Sequence, residues 1–297
     1  MAPRPIPVES GGIMTLGFEA PALLAVDGKF VAEFDYVPTE DEECEEPSID
    51  RSMSPLDSSR YWQQRYTIFP LYGDGIYMTE DAWYGVTPEP VAIHLVYDLV
   101  GFIGVDTRNV IDMFAGVGGN AISLAMATEE DGYTPRFDKV IAIEVDAATL
   151  ACAQNNAAIY GVADKITWVL GDSFKFIELL TKSPEQLEDR LRVDVATTAI
   201  FASPPWGGPG YRTDEIFDLT TMEPYNLAAL HDAYKIMDHA LYLPRTSDLR
   251  QLAKLVPDGA KIEVVQYCVE GASKAMVAYI PAIDKAQAVE TSDQPMS

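Results

Sequence analysis

The chain has 297 residues, with 21 lysines and arginines against 46 aspartates and glutamates, which gives a net charge of −25 at pH 7. Proteins that coat DNA or RNA need a basic surface to displace counterions from the phosphates, so this charge excludes a general nucleic-acid coat. Hydrophobic residues make up 48% of the chain, which is typical of a globular protein with a sizeable core.

The first 59 residues carry much of this negative charge. They contain three basic and thirteen acidic residues, and the acids concentrate at 40–46, before a stretch rich in serine and proline. Like charges repel one another, which favours a solvated linker over the alternative, an acidic docking tail for a basic partner. The sequence has no signal peptide at its start and no apolar run of about 18 residues, so we expect a soluble intracellular protein without a membrane span.

From residue 60 onward the pattern becomes regular. The aromatic-rich stretch 60–69 predicts a helix, and a helical apolar stripe predicts another that has Thr87 as its N-cap and Pro88 at its first position. Buried strands are predicted at 109–114, 140–143, 166–170, 193–202, 240–243, 261–267 and 275–280. Between them, helices are predicted at 120–127, 147–160, 227–237 and 248–255.

Apolar strands that alternate with helices indicate a parallel sheet covered on both faces. The last two strands, joined near Glu270 and Gly271, predict an antiparallel hairpin at the end of the sheet. The pattern therefore predicts an α/β, class I (Rossmann-like) fold with seven mostly parallel strands, an arrangement typical of S-adenosylmethionine-dependent methyltransferases rather than dehydrogenases.

Four regions are predicted along the chain. We expect an acidic segment at 1–59, a helical extension at 60–104, the catalytic core at 105–282 and a tail at 283–297. Two acid-rich stretches, 128–138 and 183–192, are predicted to be solvated loop insertions.

The loop after the first predicted strand has the composition of a cofactor-binding turn. Asp112 ends the strand, and Phe114, Gly116, Gly118 and Asn120 follow. Glycines let the backbone approach a ligand, and ligands of open parallel sheets bind beyond the carboxyl ends of the strands. The dehydrogenase fingerprint G-x-G-x-x-G is not met, because an apolar residue stands in place of the third glycine.

Acidic residues also end the next two strands. Glu144 stands where a carboxylate can accept both ribose hydroxyls, and Asp172 stands where one can accept the adenine amino group. A single such acid is often only a helix cap, but acids at three successive strand ends favour a nucleoside cofactor.

The most specific motif, Ser-Pro-Pro-Trp-Gly-Gly-Pro, occupies 203–209 at the end of the fourth strand. This pattern occurs where an exocyclic amine is methylated, a nitrogen whose lone pair is delocalised into the ring. The Ser203 hydroxyl and the Pro204 carbonyl can accept its two N–H bonds and turn the lone pair toward a sulfonium methyl group. Trp206 is predicted to stack on the base.

Metal chemistry has no visible signal. The cysteines Cys44, Cys152 and Cys268 form no C-x-x-C pair, and the three histidines lack ligand spacing. We therefore predict reduced thiols and no metal site.

Five motifs in one order resemble the catalytic domain of the trimethylguanosine synthase family, the cap hypermethylases. They are RYWQQRY at 60–66, WYGVTPE at 83–89, DMFAGVGGN at 112–120, NNAAIYG at 155–161 and SPPWGGP at 203–209. The resemblance covers residues 58–282. It implies conversion of 7-methylguanosine caps to 2,2,7-trimethylguanosine by two transfers from S-adenosyl-L-methionine to guanine N2. It also implies small nuclear and small nucleolar RNA substrates and a nuclear or nucleolar location.

The same resemblance implies roles for individual residues. Trp206 would stack on the cationic 7-methylguanine, Ser203 and Pro204 would hold N2, and Asn156 would hydrogen-bond the base edge. The cap phosphates would be held by Arg60, Arg245 and Tyr211. The cofactor site would be lined by Thr87, Asp112, Glu144 and Asp172, together with Phe114, Gly116, Gly118 and Asn120.

Two other functions stay open on the sequence alone. One is methylation of a different amine, such as adenine N6, an RNA guanine N2 or a protein amide; Trp206 and the motif at 83–89 count against it. The other is a cap-binding or scaffold protein of the same fold without turnover. The body beyond residue 59 is acidic too, which predicts that a cap methyltransferase of this composition reads the cap rather than the RNA chain.

Overall fold

Seven strands form one sheet in the computed structural model, which describes residues 62–206, 215–257, 261–269 and 272–283. The strands are β1 (Asn109–Asp112), β2 (Lys139–Glu144), β3 (Ile166–Leu170), β4 (Thr198–Ala202), β5 (Asp238–Leu243), β6 (Glu263–Val269) and β7 (Ala272–Ile280). Their order across the sheet is β3-β2-β1-β4-β5-β7-β6. The first five run parallel, and β7 lies antiparallel between β5 and β6. This confirms the predicted fold class.

The helices cover both faces of the sheet. In the described residues they are α1 (Arg65–Ile68), α2 (Ala82–Gly85), α3 (Glu89–Phe102), α4 (Gly119–Met126), α5 (Ala147–Ile159), α6 (Ser173–Lys182), α7 (Leu227–Tyr234) and α8 (Leu249–Leu252). Successive strand residues point to opposite faces. Val110 therefore belongs to the apolar cluster formed with α3, α4 and α5, and Ile111 to the cluster formed with α6 and α7.

Strand order sets where a ligand can bind. The chain runs outward from β1 through β2 to β3 and then crosses to β4 on the other side of β1. Open α/β sheets bind ligands in the crevice above such a reversal, beyond the carboxyl ends of the strands. The loops that follow β1 and β4 carry the glycine-rich and proline-rich motifs, so both lie at this edge.

Several predicted elements differ in extent from the observed ones. Helix α6 was not predicted, although Asp172 caps it and apolar residues recur at helical spacing along it. The fourth strand begins at Thr198 rather than 193, because its pairing with β1 starts opposite Asn109. Helix α3 begins at Glu89, so Thr87 is not its N-cap. The helices α7 and α8 are shorter than predicted, and the helix predicted at 60–69 is interrupted by a turn at Gln64.

The two acid-rich insertions are not simply solvated. In the first, Arg136 is 3% exposed and donates to the carbonyls of Thr107 and Gly104 at 2.6 and 3.1 Å. In the second, Leu187 and Leu191 are fully buried in the cluster on the α6 side of the sheet. Both insertions fold onto the body through buried residues that the acidic composition concealed.

The predicted acidic segment 1–59 and residues 284–297 of the predicted tail lie outside the described residues, so the four-region division stays a prediction. Among the helices of the described ranges, none has the length and apolar character needed to cross a membrane. Cys152 and Cys268 are free thiols, the first buried and the second exposed.

Candidate active site

A cavity of about 960 Å³ opens at the carboxyl ends of β1 to β4. One wall, here called the sheet wall, comes from the loops that follow these strands. The other, the N-terminal wall, is formed by residues 79–87. Nine of the predicted site residues line the cavity: Thr87, Phe114, Gly116, Asn120, Glu144, Asp172, Ser203, Pro204 and Trp206.

The turn after β1 brings backbone rather than side chains to the cavity. Gly116 adopts a φ of 54°, and a Cβ at this position would meet no atom within 4 Å. Gly118 has a φ of 92°, and a Cβ there would lie 3.3 Å from Ala153 of α5. Because side chains rarely adopt positive φ, both positions favour glycine. The turn is therefore an open cradle at Gly116 and a close packing contact at Gly118, which does not itself line the cavity.

Glu144 is held by backbone amides at the end of β2. Its Oε2 atom accepts from the Gly116 amide at 2.9 Å, and its Oε1 atom accepts from the amides of Val145 and Asp146 at the same distance. Burial raises the pKa of this carboxyl group, and the three hydrogen bonds from backbone amides oppose the shift. The carboxylate thus fixes the glycine turn against β2 and presents a rigid acceptor to the cavity.

Asp112 lies behind the same turn and is fully buried. Its Oδ1 atom accepts from the Phe114 amide at 3.2 Å, and its Oδ2 atom has no partner among the described residues. Burial raises the pKa of Asp112 to about 7. It does not line the cavity, so the structure gives it no direct place at the predicted cofactor contact.

Asp172 combines a capping role with a place at the cavity. One carboxylate oxygen caps α6 by accepting from the Lys175 amide at 2.7 Å, and the other accepts from the Tyr225 hydroxyl at 3.0 Å. The Tyr225 ring stacks on Phe174 with centroids 3.9 Å apart. Tyr225 lines the cavity and was missed by the sequence reasoning, because it lies outside every recognised motif.

Residues 203–206 follow β4 and face the cavity. The Trp206 indole donates from Nε1 to the Tyr242 carbonyl at 3.2 Å, and its ring lies nearly parallel to that of Tyr242, with centroids 5.8 Å apart. Strand β5 thereby fixes the orientation of the indole. Nearby, Asn120 donates to the Thr87 hydroxyl at 3.1 Å and joins the two walls.

The structure does not bring Asn156 to the cavity. Its side chain is fully buried and hydrogen-bonds the backbone of Tyr77 and Val117, and its contact with the base edge stays a prediction. Arg245 is exposed on the loop after β5, at the same edge of the sheet but outside the cavity lining. Arg60 and Tyr211 lie outside the described residues.

The charge of the cavity suits a cationic ligand. Four carboxylates line it, those of Glu80, Asp81, Glu144 and Asp172, and no basic side chain does within the described residues. A sulfonium cofactor carries a positive charge that such a surface attracts. The acceptors at Glu144 and the open cradle at Gly116 also match a nucleoside, so the residues present fit S-adenosylmethionine. In the described part of the chain, no cluster of three or more His, Cys, Asp or Glu residues could hold a metal ion.

A Rossmann-like sheet with an antiparallel β7 and a glycine turn facing a proline-tryptophan motif defines an S-adenosylmethionine-dependent methyltransferase. Residues 107–283 match the family described as RNA cap guanine-N2 methyltransferase. The chain belongs to this family, and the enzyme therefore transfers methyl groups from S-adenosylmethionine to the guanine N2 of RNA caps. This confirms the predicted family, enzyme class and cofactor and disfavours the alternative amine substrates.

Relatives of known name agree with this assignment. The trimethylguanosine synthase of Schizosaccharomyces pombe is 32% identical over 228 residues, which are 76% of this chain and 86% of that protein. The Saccharomyces cerevisiae enzyme of the same name is 31% identical over 210 residues, 68% of this chain, and the match spans 60% of that protein's length. A methyltransferase crystal structure from Porphyromonas gingivalis W83 shares the fold, with a TM-score of 0.52 at 15% identity, over 78% of this chain and 52% of that chain.

Proposed function

We propose that this protein converts 7-methylguanosine caps to 2,2,7-trimethylguanosine by two successive transfers to N2. The observation that carries the proposal is that the motif at 203–206 and the Gly116–Glu144 pair line one cavity. An amine held by the first and a methyl donor held by the second would then be neighbours. The names of the two fungal relatives support the trimethylated product.

The cofactor side of the site is the sheet wall near β1 to β3. S-adenosylmethionine supplies a methyl group on a positively charged sulfur. The Gly116 backbone approaches the cofactor, the Glu144 carboxylate accepts from its ribose, and Asp172 accepts from its adenine amino group. Because Glu144 is already held by three amides, binding the cofactor requires little reorganisation of this carboxylate.

The base side is formed by residues 203–206. The Ser203 hydroxyl and the Pro204 carbonyl accept the two N2–H bonds, which turns the nitrogen lone pair toward the methyl group. N2 would take the methyl group from sulfur and release one proton to solvent, while Ser203 and Pro204 would keep the nitrogen oriented. After the first transfer one N–H remains, so one of the two acceptors can hold the monomethylated amine for the second transfer.

Trp206 provides the surface on which the base lies. A 7-methylguanine ring is cationic, and a cation over an indole face gains about 1–2 kcal/mol when it is desolvated. The bond to Tyr242 keeps the indole fixed before the substrate arrives. The cap phosphates would then be bound by Arg245, Arg60 and Tyr211.

The biological setting is also part of the proposal. We infer small nuclear and small nucleolar RNAs as substrates and the nucleus or nucleolus as the location, as the family resemblance implies. The acidic stretch at 40–46 suits a basic ribonucleoprotein partner that delivers the RNA, since the rest of the chain is too acidic to hold long RNA itself.

The proposal is tested with methyl-labelled S-adenosylmethionine and three acceptors: 7-methyl-GDP, GDP and an adenine-containing oligonucleotide. We expect label only on 7-methyl-GDP, with one and then two added methyl groups resolved by mass spectrometry. Equal labelling of GDP would contradict the cap specificity, and a product that stops at one methyl group would contradict trimethylation. The Ser203→Ala variant should transfer more slowly at unchanged cofactor affinity.

A further inference from the structure

Asn156 stands at the junction of α5, the segment before the N-terminal wall and the glycine turn. Its Oδ1 atom accepts from the Tyr77 amide at 2.8 Å, and its Nδ2 atom donates to the Tyr77 carbonyl at 2.9 Å. The same Nδ2 atom donates to the Val117 carbonyl at 3.0 Å. The side chain is fully buried. Both of its donors and its acceptor are therefore used by backbone groups.

One of those backbone groups lines the cavity, and the other precedes a cavity wall. Tyr77 lies two residues before the N-terminal wall, and Val117 is part of the glycine turn and lines the cavity itself. A buried asparagine with all its bonds made fixes the distance between the chains that it joins, because breaking one bond leaves an unpaired polar group. An apolar side chain here would leave three backbone groups without this partner.

The neighbouring contacts of α5 show what is particular to Asn156. Asn155 donates to the Gly75 carbonyl at 2.8 Å, and Tyr160 donates to Glu89. Both hold the N-terminal part of the domain to α5, but neither contact reaches the glycine turn. Of these three side chains, Asn156 joins the glycine turn to the segment just before the N-terminal wall.

We propose that Asn156 is a positioning residue that couples the cofactor site to the cap site. By fixing Val117 it holds the glycine turn in its cofactor-binding form, and by fixing Tyr77 it holds the N-terminal wall at the spacing that a bound base requires. Binding at either site then favours the arrangement that the other needs. The cap half of this inference rests on the proposed function, whereas the cofactor half does not.

The test measures binding to the full chain by calorimetry, with S-adenosylhomocysteine as the cofactor probe and 7-methyl-GDP as the cap probe. Each dissociation constant is measured with and without the other ligand. In the wild type we expect each ligand to tighten the other several-fold. In Asn156→Ala we expect both ligands to bind about tenfold more weakly and this mutual effect to disappear. Asn156→Asp keeps the acceptor but loses both donors, so its affinities for the two ligands should lie below those of the wild type.

Two matched asparagine variants control for other causes. Asn155→Ala removes the bond to the Gly75 carbonyl and a donation at 3.3 Å to the Asn156 Oδ1 atom. It leaves the bonds of Asn156 to Tyr77 and Val117 in place, so it should leave cofactor affinity and coupling near the wild-type values. Asn109→Ala removes contacts with Thr197 at the opposite end of β1, so it reports general loss of stability. Hydrogen exchange adds a direct readout, since S-adenosylhomocysteine should slow exchange at 77–87 in the wild type but not in Asn156→Ala.

Three outcomes would overturn the inference. In the first, Asn156→Ala weakens 7-methyl-GDP alone, as a base-edge contact would. In the second, Asn109→Ala produces the same loss as Asn156→Ala, which would mark both as merely structural. In the third, cofactor binding leaves exchange at 77–87 unchanged in the wild type. If the wild type fails to methylate 7-methyl-GDP, the proposed function fails, while cofactor affinity and exchange still decide the role of Asn156.

Discussion

The two walls of the cavity are built differently. On the sheet wall the polar groups are already bonded: Glu144 accepts from three amides, and Asp172 caps a helix and accepts from Tyr225. On the N-terminal wall the carboxylates of Glu80 and Asp81 line the cavity without a hydrogen-bond or ion-pair partner in the described part of the chain. The first wall is therefore organised by the fold, and the second presents charge in solvent.

The supports behind the walls differ in the same way. The sheet wall rests on strand pairing, which fixes its residues relative to one another. The N-terminal wall rests on short helices and on side chains of α5. It also rests on the Trp83 ring, whose centroid lies 6.0 Å from that of Trp62 and 5.9 Å from that of Tyr72. A fixed wall suits a cofactor that is the same in every cycle. The N-terminal wall contains no strand in the described residues that could fix it in this way.

Replacing Trp206 should give the largest effect, because it removes the proposed base platform. Loss of base stacking costs about 1–3 kcal/mol, so Trp206→Ala should lower kcat/KM for 7-methyl-GDP on the order of 100-fold. Cofactor affinity should change little. Trp206→Phe keeps an aromatic face but loses the bond to Tyr242, so it should retain part of the activity. A collapse of cofactor affinity in Trp206→Ala would instead place the indole on the cofactor side.

Glu144→Gln should break the organisation of the sheet wall. A glutamine amide would set N–H groups against the amides that now donate to the carboxylate. Because hydrogen bonds to a charged group contribute about 1.5–3 kcal/mol, S-adenosylhomocysteine should bind roughly 10–100-fold more weakly, as measured by calorimetry. Binding of 7-methyl-GDP without cofactor should stay close to wild type. Equal losses for both ligands would show that Glu144 supports both walls.

The sheet wall was also the part that could be predicted. The strand-end rule identified Gly116, Glu144 and Asp172 because parallel strands bring their carboxyl ends to one edge, whatever the details of packing. The rule could not distinguish residues that line the cavity from residues that are buried behind it. Asp112 and Asn156 have the residue types of ligand-binding groups, and only the tertiary structure shows that both are buried away from the cavity.

The N-terminal wall shows the opposite limit. Its motif at 83–89 was recognised by resemblance, but no periodicity places Glu80 and Asp81 at the cavity, because short helices leave no pattern that fixes their direction. The predicted start of β4 was wrong for a related reason. Residues 193–197 are apolar enough for a strand, but the pairing of β4 with β1 begins only opposite Asn109. In both cases the deciding contact is distant in sequence.

The buried Asp112 should make the stability of the ligand-free protein depend on pH. Its pKa is about 7 in the folded state and near 3.8 in the unfolded chain. Between these values the folded state retains a proton that the unfolded state releases, so stability falls as pH rises from about 4 to 7. Asp112→Asn removes this loss and should raise the free energy of unfolding by about 1–2 kcal/mol at pH 8, after allowance for an unpaired amide. Urea unfolding at pH 4.5 and pH 8 checks this, and an equal difference at both pH values would contradict it.

Neutralising the carboxylates of the N-terminal wall should have the smallest effect. It should weaken only the binding of a positively charged base. Glu80 is half-buried and Asp81 is exposed, so water weakens their attraction for a cationic base. In the double variant Glu80→Gln with Asp81→Asn, 7-methyl-GDP should bind about three- to fivefold more weakly. GDP, whose guanine base is uncharged, should bind as it does to the wild type. The selectivity between the two nucleotides, measured by calorimetry, should fall by the same factor.

Salt distinguishes this effect from a change of shape. Screened charges lose their attraction as ionic strength rises, so the difference in selectivity between wild type and the double variant should narrow from about 0.05 M to about 0.5 M salt, over which the Debye length falls from roughly 14 Å to roughly 4 Å. Asp74→Asn neutralises an exposed acid of the same segment that does not line the cavity, and it should leave the selectivity unchanged. If the double variant weakened GDP and 7-methyl-GDP alike at every salt concentration, the carboxylates would be supporting the wall rather than attracting the base. The N-terminal wall would then be organised by its polar groups, just as the sheet wall is.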